Sequence, residues 1–482
     1  MFSLMLIWGL MTMDTLASID SLQYPIYEMD EIVVTATRTP RLQKEISLPI
    51  TVITEEEIKG INLKDIGDII GYGLSAKIEK YGGMGAVSSI FMRGLYSAHT
   101  MVLIDGRPVN SPSLGGADLS WISGVGIERI EIVRGPISSL YGANALAGVV
   151  NIITHSKPKN NVSLSYGNWN TFISSMESGK SFGNLTSIVT GAYRKSDGER
   201  DNSAHNSKEL SGKVKYKLGV WNFNLHTGFY QGETGMPGVK PASDTMERNL
   251  SQKRLGNNEV SSLYDNSKDN RFFSTAGVNF HNLKLSGFLN NWEDDAHREW
   301  IDLNWVTFQE ERHNANDNHK TKSYGIELVD TRKLWNNLIT YGASFNKDIF
   351  EATSIDSNLT TDSCLRTPWD ADRETKAIYL QDEIEIRKVR ATLGIRWDST
   401  SYDTSGFAQI SPKTSIAWKF IEGSKLIASY GKGFRTPSLN DLYWPSDPFA
   451  EGNPNLKPEK SESYEVGIDR VFFKKIFAGI SL

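Results

Sequence analysis

From about residue 160 to the end of the chain, apolar and polar positions alternate with a period of two. Val162-Ser-Leu-Ser-Tyr166 places an apolar side chain at every second position, and Val214-Lys-Tyr-Lys-Leu218, Phe223-Asn-Leu-His-Thr227 and Ala391-Thr-Leu-Gly-Ile-Arg-Trp397 follow the same rhythm. Successive side chains of a strand point to opposite faces, so this rhythm predicts strands with one apolar and one polar face. Many of the runs end in an aromatic residue. The connections between them are unequal: some are short turns, others long polar stretches such as 197–208 and 231–270. Short turns at one end, long loops at the other and aromatic strand ends together predict an antiparallel transmembrane β-barrel. At roughly 20 residues per strand and connection, Val162 to Leu482 accommodates about 16 strands, the last at 475–481. Inside a bilayer every backbone N–H and C=O must be paired across strands, so such a sheet is expected to close on itself.

Residues 30–155 read differently, as mixed α/β. Pro49-Ile-Thr-Val-Ile-Thr54 is a short β-rich run, and Glu55-Glu56-Glu57 then opens a helix with acids where the macrodipole favours them. Leu63, Ile66, Ile69 and Ile70 recur at helical spacing. Strands are expected at 91–93, 101–104 and 127–133. Turns are expected at Gly82-Gly83, Gly94, Asp105-Gly106 and Gly115-Gly116.

The first 13 residues, MFSLMLIWGLMTM, are apolar and end before Asp14. A membrane-spanning helix needs about 20 apolar residues, so the run suits the apolar region of a signal peptide over residues 1–18, cleaved near Ala17-Ser18. No Lys or Arg precedes Arg38, so a basic leader is missing and a buried N-terminal helix is the alternative. Composition narrows the chemistry. The 482 residues include 41 glycines, 10% aromatics and one cysteine, Cys364, which excludes an internal disulfide framework and a multi-cysteine zinc site. A formal net charge of −5 argues against a dedicated nucleic-acid binder. Gly179-Lys180-Ser181 ends like a phosphate-binding loop, but Ser174 stands where its glycine should be. The eight histidines show no metal-ligand spacing, and no group looks catalytic, so an enzyme is not expected.

Asp30-Glu31-Ile32-Val33-Val34-Thr35-Ala36-Thr37-Arg38 is acidic, then β-branched, then basic. Such a segment favours extended backbone and serves either as the first strand of its own domain or as an edge strand added to a partner. It is followed by four further motifs: Ser88-Ser-Ile-Phe-Met-Arg-Gly94, Thr100-Met-Val-Leu-Ile-Asp-Gly-Arg107, Gly126-Ile-Glu-Arg-Ile-Glu-Ile-Val-Arg-Gly-Pro136 and Ser139-Leu-Tyr-Gly-Ala-Asn-Ala-Leu-Ala-Gly-Val-Val-Asn-Ile-Ile-Thr154. These stretches closely resemble the plug domain of TonB-dependent outer-membrane receptors, and 30–38 resembles their TonB box (Glu31, Ile32, Val33, Val34, Thr35, Ala36). Ala377-Ile-Tyr-Leu-Gln-Asp-Glu383, Gly394-Ile-Arg-Trp-Asp398, Tyr430-Gly-Lys-Gly-Phe-Arg-Thr-Pro437 and Gly452-Asn-Pro-Asn-Leu-Lys-Pro-Glu459 are similar to barrel signatures of the same family.

The resemblance covers about residues 30–470. It implies a plug at 45–155 inside a barrel beginning at 160. The family's barrel has 22 strands, so a chain with about 16 is expected to lack its C-terminal end. It further implies import of a scarce chelate driven by the TonB–ExbB–ExbD energy-coupling complex, by a monomer set in outer-membrane lipid with no covalent cofactor. Within the family, Tyr81-Gly-Gly-Met-Gly-Ala-Val-Ser-Ser-Ile-Phe-Met-Arg-Gly94 and Gly115-Gly-Ala-Asp-Leu-Ser120 are most similar to the cobalamin receptors. Arg134-Gly-Pro-Ile-Ser-Ser-Leu-Tyr-Gly142 is shared with catecholate siderophore receptors, which leaves ferric siderophore or haem as alternative cargoes.

By the same resemblance Arg93 and Arg134 meet barrel-wall glutamates, Glu465 matching one such position. Ligand contact falls to the plug apices, 81–86 and 107–114, with Tyr81, Met84, Arg107, Asn110, Ser111 and Ser113 as candidates. Asp197, Glu199 and Asp201 alternate in an outer loop as candidate Ca²⁺ ligands. Two other classes compete: a passive porin, which would need neither plug nor coupling segment, and a soluble carbohydrate-active β-protein.

Overall fold

The computed structural model describes residues 32–43, 46–60, 65–72, 76–238, 252–254, 262–303, 309–403, 405–421, 424–446, 450–472 and 476–481. The candidate signal peptide at 1–18, Asp30 and Glu31 lie outside them. The chain builds two concentric parts, a small mixed α/β domain and a long antiparallel sheet that surrounds it.

Among the described residues the inner domain holds nine strands: β1 (Ile32–Val33), β2 (Arg41–Leu42), β3 (Ile50–Thr54), β4 (Lys77–Lys80), β5 (Ser88–Phe91), β6 (Thr100–Ile104), β7 (Arg107–Pro108), β8 (Ile127–Arg134) and β9 (Gly148–Thr154). Five of them form one sheet in the order β3-β8-β9-β6-β7, with β6 parallel to β9 and the other neighbours antiparallel. Helix Glu55–Gly60 follows β3 directly, and the Glu57 carboxylate accepts from the Thr54 amide at 2.8 Å while Thr54 Oγ1 accepts from the Glu57 amide. Helix Ile66–Tyr72 turns Ile66, Ile69 and Ile70 onto the sheet, where they meet Ile130, Ile132, Val150 and Ile152 in a dry core. Leu63 lies outside the described residues.

Arg93 does not sit in the strand expected at 91–93. The strand is Ser88–Phe91, and Arg93 takes a left-handed turn conformation (φ 53°) before Gly94. A left-handed residue cannot continue a ladder, so β5 ends before it.

The outer sheet has 16 strands among the described residues. All but one run up and down in chain order from Asn161–Gly167 to Ile476–Ser481. The exception, Gln252–Arg254, pairs only with the outer end of Leu283–Leu303. Among the described residues the first and last strands of this order are not paired with one another.

The alternation is inverted relative to a soluble protein. On strand Ser363–Ile386, Ile378 and Leu380 are 58% and 48% exposed, while Gln381 and Glu383 are 1% and 4% exposed. Across the ladder Ile378 faces Trp397 and Leu380 faces Ile395, all exposed, whereas Tyr379 faces Arg396 and Ala377 faces Asp398, all buried. An apolar outer face around a polar lumen is a lipid-facing wall. No helix is long and apolar enough to cross a membrane among the described residues.

The strands also run further than the hydropathy suggests. Stretches expected as loops supply the ends of His205–Leu218, Trp221–Gly235 and Asn266–Phe280. Strands Leu283–Leu303, Glu310–Leu334, Asn337–Asn358 and Ser363–Ile386 have 21 to 25 residues. About 9–11 residues suffice to cross a bilayer, so these strands project beyond it on the side of the long connections.

Candidate functional site

The inner domain fills the lumen and is held there by polar contacts. At the end of the short turns, Arg38 pairs with Glu327 at 2.9 Å, Arg41 approaches Glu383, and the Lys425 ammonium donates to the Ile46 carbonyl at 3.0 Å. Mid-wall, the Arg396 guanidinium, itself paired with Asp398, donates to the Leu140 carbonyl. The β6–β7 turn hangs on Asp105, which accepts from Lys213 at 2.9 Å and from both the amide and the hydroxyl of Thr154, and lies 3.1 Å from His226 Nδ1. Burial pushes the Asp105 carboxyl up, but Lys213 and the hydrogen bond with His226 outweigh it and hold it well below the usual carboxylate range.

Arg93 meets Glu465 across the interface at 2.7 Å. The pair comes together at Gly135, whose φ of +92° disfavours any side chain, and where a Cβ would lie a tight 3.1 Å from the Arg93 guanidinium and 3.6 Å from the Glu465 carboxylate. Arg134 is the neighbouring residue, at the end of β8, where its amide donates to the Pro49 carbonyl. The structure therefore gathers Arg93, Glu465 and the Arg134–Gly135 step at one place on the wall.

At the opposite end, the plug presents Tyr81, Val87, Tyr96 and Leu114, each at least half exposed. Met84 is partly covered beside Gly85, where a Cβ would overlap the His205 imidazole at the outer end of its strand. Tyr96, which packs edge-on against Phe91, escaped the sequence reading because a lone aromatic after a turn carries no periodic signal.

The other apical candidates divide. Asn110 is spent inside its own loop, donating to the Thr100 and Gly115 carbonyls and accepting from the Val102 amide. Ser111 and Ser113 hydroxyls bond one another at 2.8 Å. Ser113 is buried under helix Leu439–Tyr443, whose first amides donate to the Pro112 and Ser113 carbonyls.

Arg107 does not join the apex. It is 2% exposed, bonded to Asn290 and stacked over Phe273 at 4.2 Å, because the β6–β7 hairpin sends its turn down into the lumen. Asp197, Glu199 and Asp201 are exposed, and Asp197 accepts from Asn170 at 2.6 Å. Among the described residues no three His, Cys, Asp or Glu side chains are grouped to hold a metal ion.

Of the candidate coupling-segment residues, Val33, Thr35 and Ala36 are buried, Val34 is partly buried, Ile32 pairs with Leu42, and Glu31 lies outside the described residues. The segment lies at the short-turn end, across the lumen from Tyr81 and Tyr96.

Comparison with known proteins agrees with this arrangement. A family model described as "TonB dependent receptor-like, beta-barrel" matches residues 193–482, and one described as "TonB-dependent Receptor Plug Domain" matches 43–149. The chain is 29% identical over 458 residues to the vitamin B12 transporter BtuB of Vibrio vulnificus, covering 91% of this chain and 67% of the relative. It is 28% identical over 456 residues to that of Photobacterium profundum, with the same coverage. It thus spans about two thirds of the length of these relatives.

Among solved structures, Pseudomonas aeruginosa FpvA bound to a heterologous pyoverdine has a TM-score of 0.71 at 16% identity, covering 93% of this chain and 64% of that one. The ferric citrate transporter FecA in its unliganded form has a TM-score of 0.68 at 17% identity, covering 88% and 68%. At such identities the likeness establishes the fold alone. With a plug-domain match, a barrel match over more than half of its residues and a lipid-facing wall of strands around a lodged domain, this chain belongs to the TonB-dependent receptors of the outer membrane.

Proposed function

We propose that this chain captures a scarce metal chelate, cobalamin first among the candidates, and releases it inward when TonB pulls on residues 30–38. One observation carries the reading. The plug offers an exposed aromatic face (Tyr81, Tyr96) at the end of the long connections and buries the candidate coupling segment at the opposite end. A ligand bound at the first face is separated from the periplasm by the plug, so passage requires the plug to move. A passive pore gains nothing from that arrangement. The relatives named vitamin B12 transporters support cobalamin as cargo, at 28–29% identity.

The chain's own residues supply binding, closure and attachment. Tyr81 and Tyr96 offer flat apolar surface to a bulky ligand, and the Arg93–Glu465 and Asp105–Lys213 contacts hold the closure in place until it is pulled. The test is equilibrium binding of cyanocobalamin, a ferric catecholate and haem to the full-length receptor in detergent, followed by energised uptake with residues 30–38 deleted. Cyanocobalamin binding that survives the deletion, with uptake abolished, is the expected result. Binding of only the ferric catecholate or haem would reassign the cargo, and uptake untouched by the deletion would overturn the mechanism.

A further inference from the structure

We infer that Glu131 is the positioning residue that keeps the coupling segment parked inside the plug, an inference that rests on the reading of 30–38 given above. β8 turns Ile130 and Ile132 to one core, and Glu131 and Val133 to the other face of the sheet. That face carries the apolar side chains of Leu103, Val133 and Val149, with Arg129 on the same strand and Asn151 across the ladder, and the Glu131 carboxylate in it is fully buried. An uncompensated charge there would be strongly destabilising.

The compensation is shared between Arg129 and the segment. Past Val33 its backbone has left the ladder, since β1 and β2 share only the pairs Ile32–Leu42 and Val33–Arg41. The next two amides, of Val34 and Thr35, both donate to Glu131 Oε2, at 2.9 and 2.8 Å. Glu131 Oε1 accepts from the Arg129 guanidinium at 2.9 and 2.8 Å. The Tyr141 hydroxyl donates to the Thr35 carbonyl and the Asn151 amide to the Thr35 hydroxyl, both at 3.0 Å.

Buried amides need partners, and two amides sharing one oxygen are best served by a charged one. Glu131 is thus a buried carboxylate with one oxygen on Arg129 and the other given to the segment it holds. The arrangement is reciprocal: when the segment leaves, Glu131 loses two of its donors, so the vacated state is penalised and docking is restored once the pull ends.

The experiment is hydrogen–deuterium exchange on the full-length receptor in detergent, following the peptide that contains Val34 and Thr35 beside peptides from β8 and the wall. Glu131→Ala is expected to speed exchange of the segment at least about 100-fold, from the loss of two charge-assisted hydrogen bonds. Glu131→Gln, which keeps one oxygen acceptor without the charge, should speed it about tenfold. In both, β8 protection should stay as in the parent.

Unchanged exchange at Val34 and Thr35 in either folded variant would overturn the inference. If Glu131→Ala also strips β8 of protection, Glu131→Gln decides alone, by the same two outcomes. Capture of the purified periplasmic domain of TonB provides a second readout that loss of packing alone would not raise. Capture should rise in step with segment exchange. Faster exchange with no gain in capture leaves the Glu131 contact standing and overturns instead the reading of 30–38 as the coupling segment.

Discussion

Replacing Arg93 by alanine probes how the plug is held. Glu465 is only 8% exposed at its side chain, whereas Arg93 is 33% exposed. Removing one partner of a fully buried pair costs about 3–5 kcal/mol, and exposed pairs are worth below about 1 kcal/mol. With one member buried and the other reached by water, an intermediate cost of about 1.5–3 kcal/mol follows. Local opening of the plug at that contact should then become about 10- to 150-fold more frequent.

The amide of Gly135, which donates to the Ala147 carbonyl at 2.8 Å, and that of Leu95, which donates to the Met92 carbonyl at 2.9 Å, report it directly by hydrogen exchange. Glu465→Ala in the Arg93→Ala background should recover most of the loss, because much of it is the orphaned carboxylate rather than the missing bond. Protection at Gly135 within twofold of the parent in Arg93→Ala, or strictly additive losses in the double variant, would refute the reasoning.

Three further outcomes are expected. Asp105→Asn removes the charge that faces Lys213 and His226 and should lower plug stability by about 2–4 kcal/mol, read as a shift in the denaturant midpoint of the β9 amides. Burial tends to raise the Glu55 carboxyl, but hydrogen bonds from Lys159 and Lys59 and the charge of His155 hold it at about 2, against an ordinary 4.5. Its contribution is therefore present above pH 4.5 and fades as pH falls towards 2, so protection of helix Glu55–Gly60 should decline over that range and Glu55→Gln should flatten the decline. Gly85→Ala places a methyl into the His205 ring at a φ of +79°, which should displace the 81–86 turn and weaken ligand binding about tenfold or more, by titration, while leaving β8 protection intact.

Much of this architecture was written in short-range pattern. Period-two alternation located the wall strands, because lipid on one side and a polar lumen on the other impose opposite demands on successive residues. It failed where strands rise out of the bilayer: at 266–270 the backbone still pairs with 231–235, but no apolar demand remains to mark the outer face. The Ile66, Ile69, Ile70 spacing located a core helix for the same kind of reason.

Arg93 and Glu465 came from resemblance and lie against one another in space. Arg107 was misplaced because an Asp-Gly turn announces a reversal of the chain but not which end of the lumen it points to. Asn290, Lys213 and His226, which hold that hairpin, stand more than a hundred residues away in the chain and are ordinary polar positions on their strands. Glu131 likewise looks like one more charge in Ile127-Glu-Arg-Ile-Glu-Ile-Val-Arg134. Only the fold reveals that it is buried and what it holds.

The order β3-β8-β9-β6-β7 has a mechanical consequence. β3 follows the leading segment, occupies the border of its sheet and is joined to it by five rungs, from Ile50–Val133 to Thr54–Arg129. β9, well inside, runs almost directly into the first wall strand, and His155, just beyond it, is anchored to Glu177 at 2.7 Å. Within this sheet, tension entering at the leading end therefore meets a border strand first, held by a single neighbour, while the other terminus stays moored. Such a sheet can shed one ribbon and open a gap along the wall with most of its body still in place, and the shed ribbon has its old seat to return to.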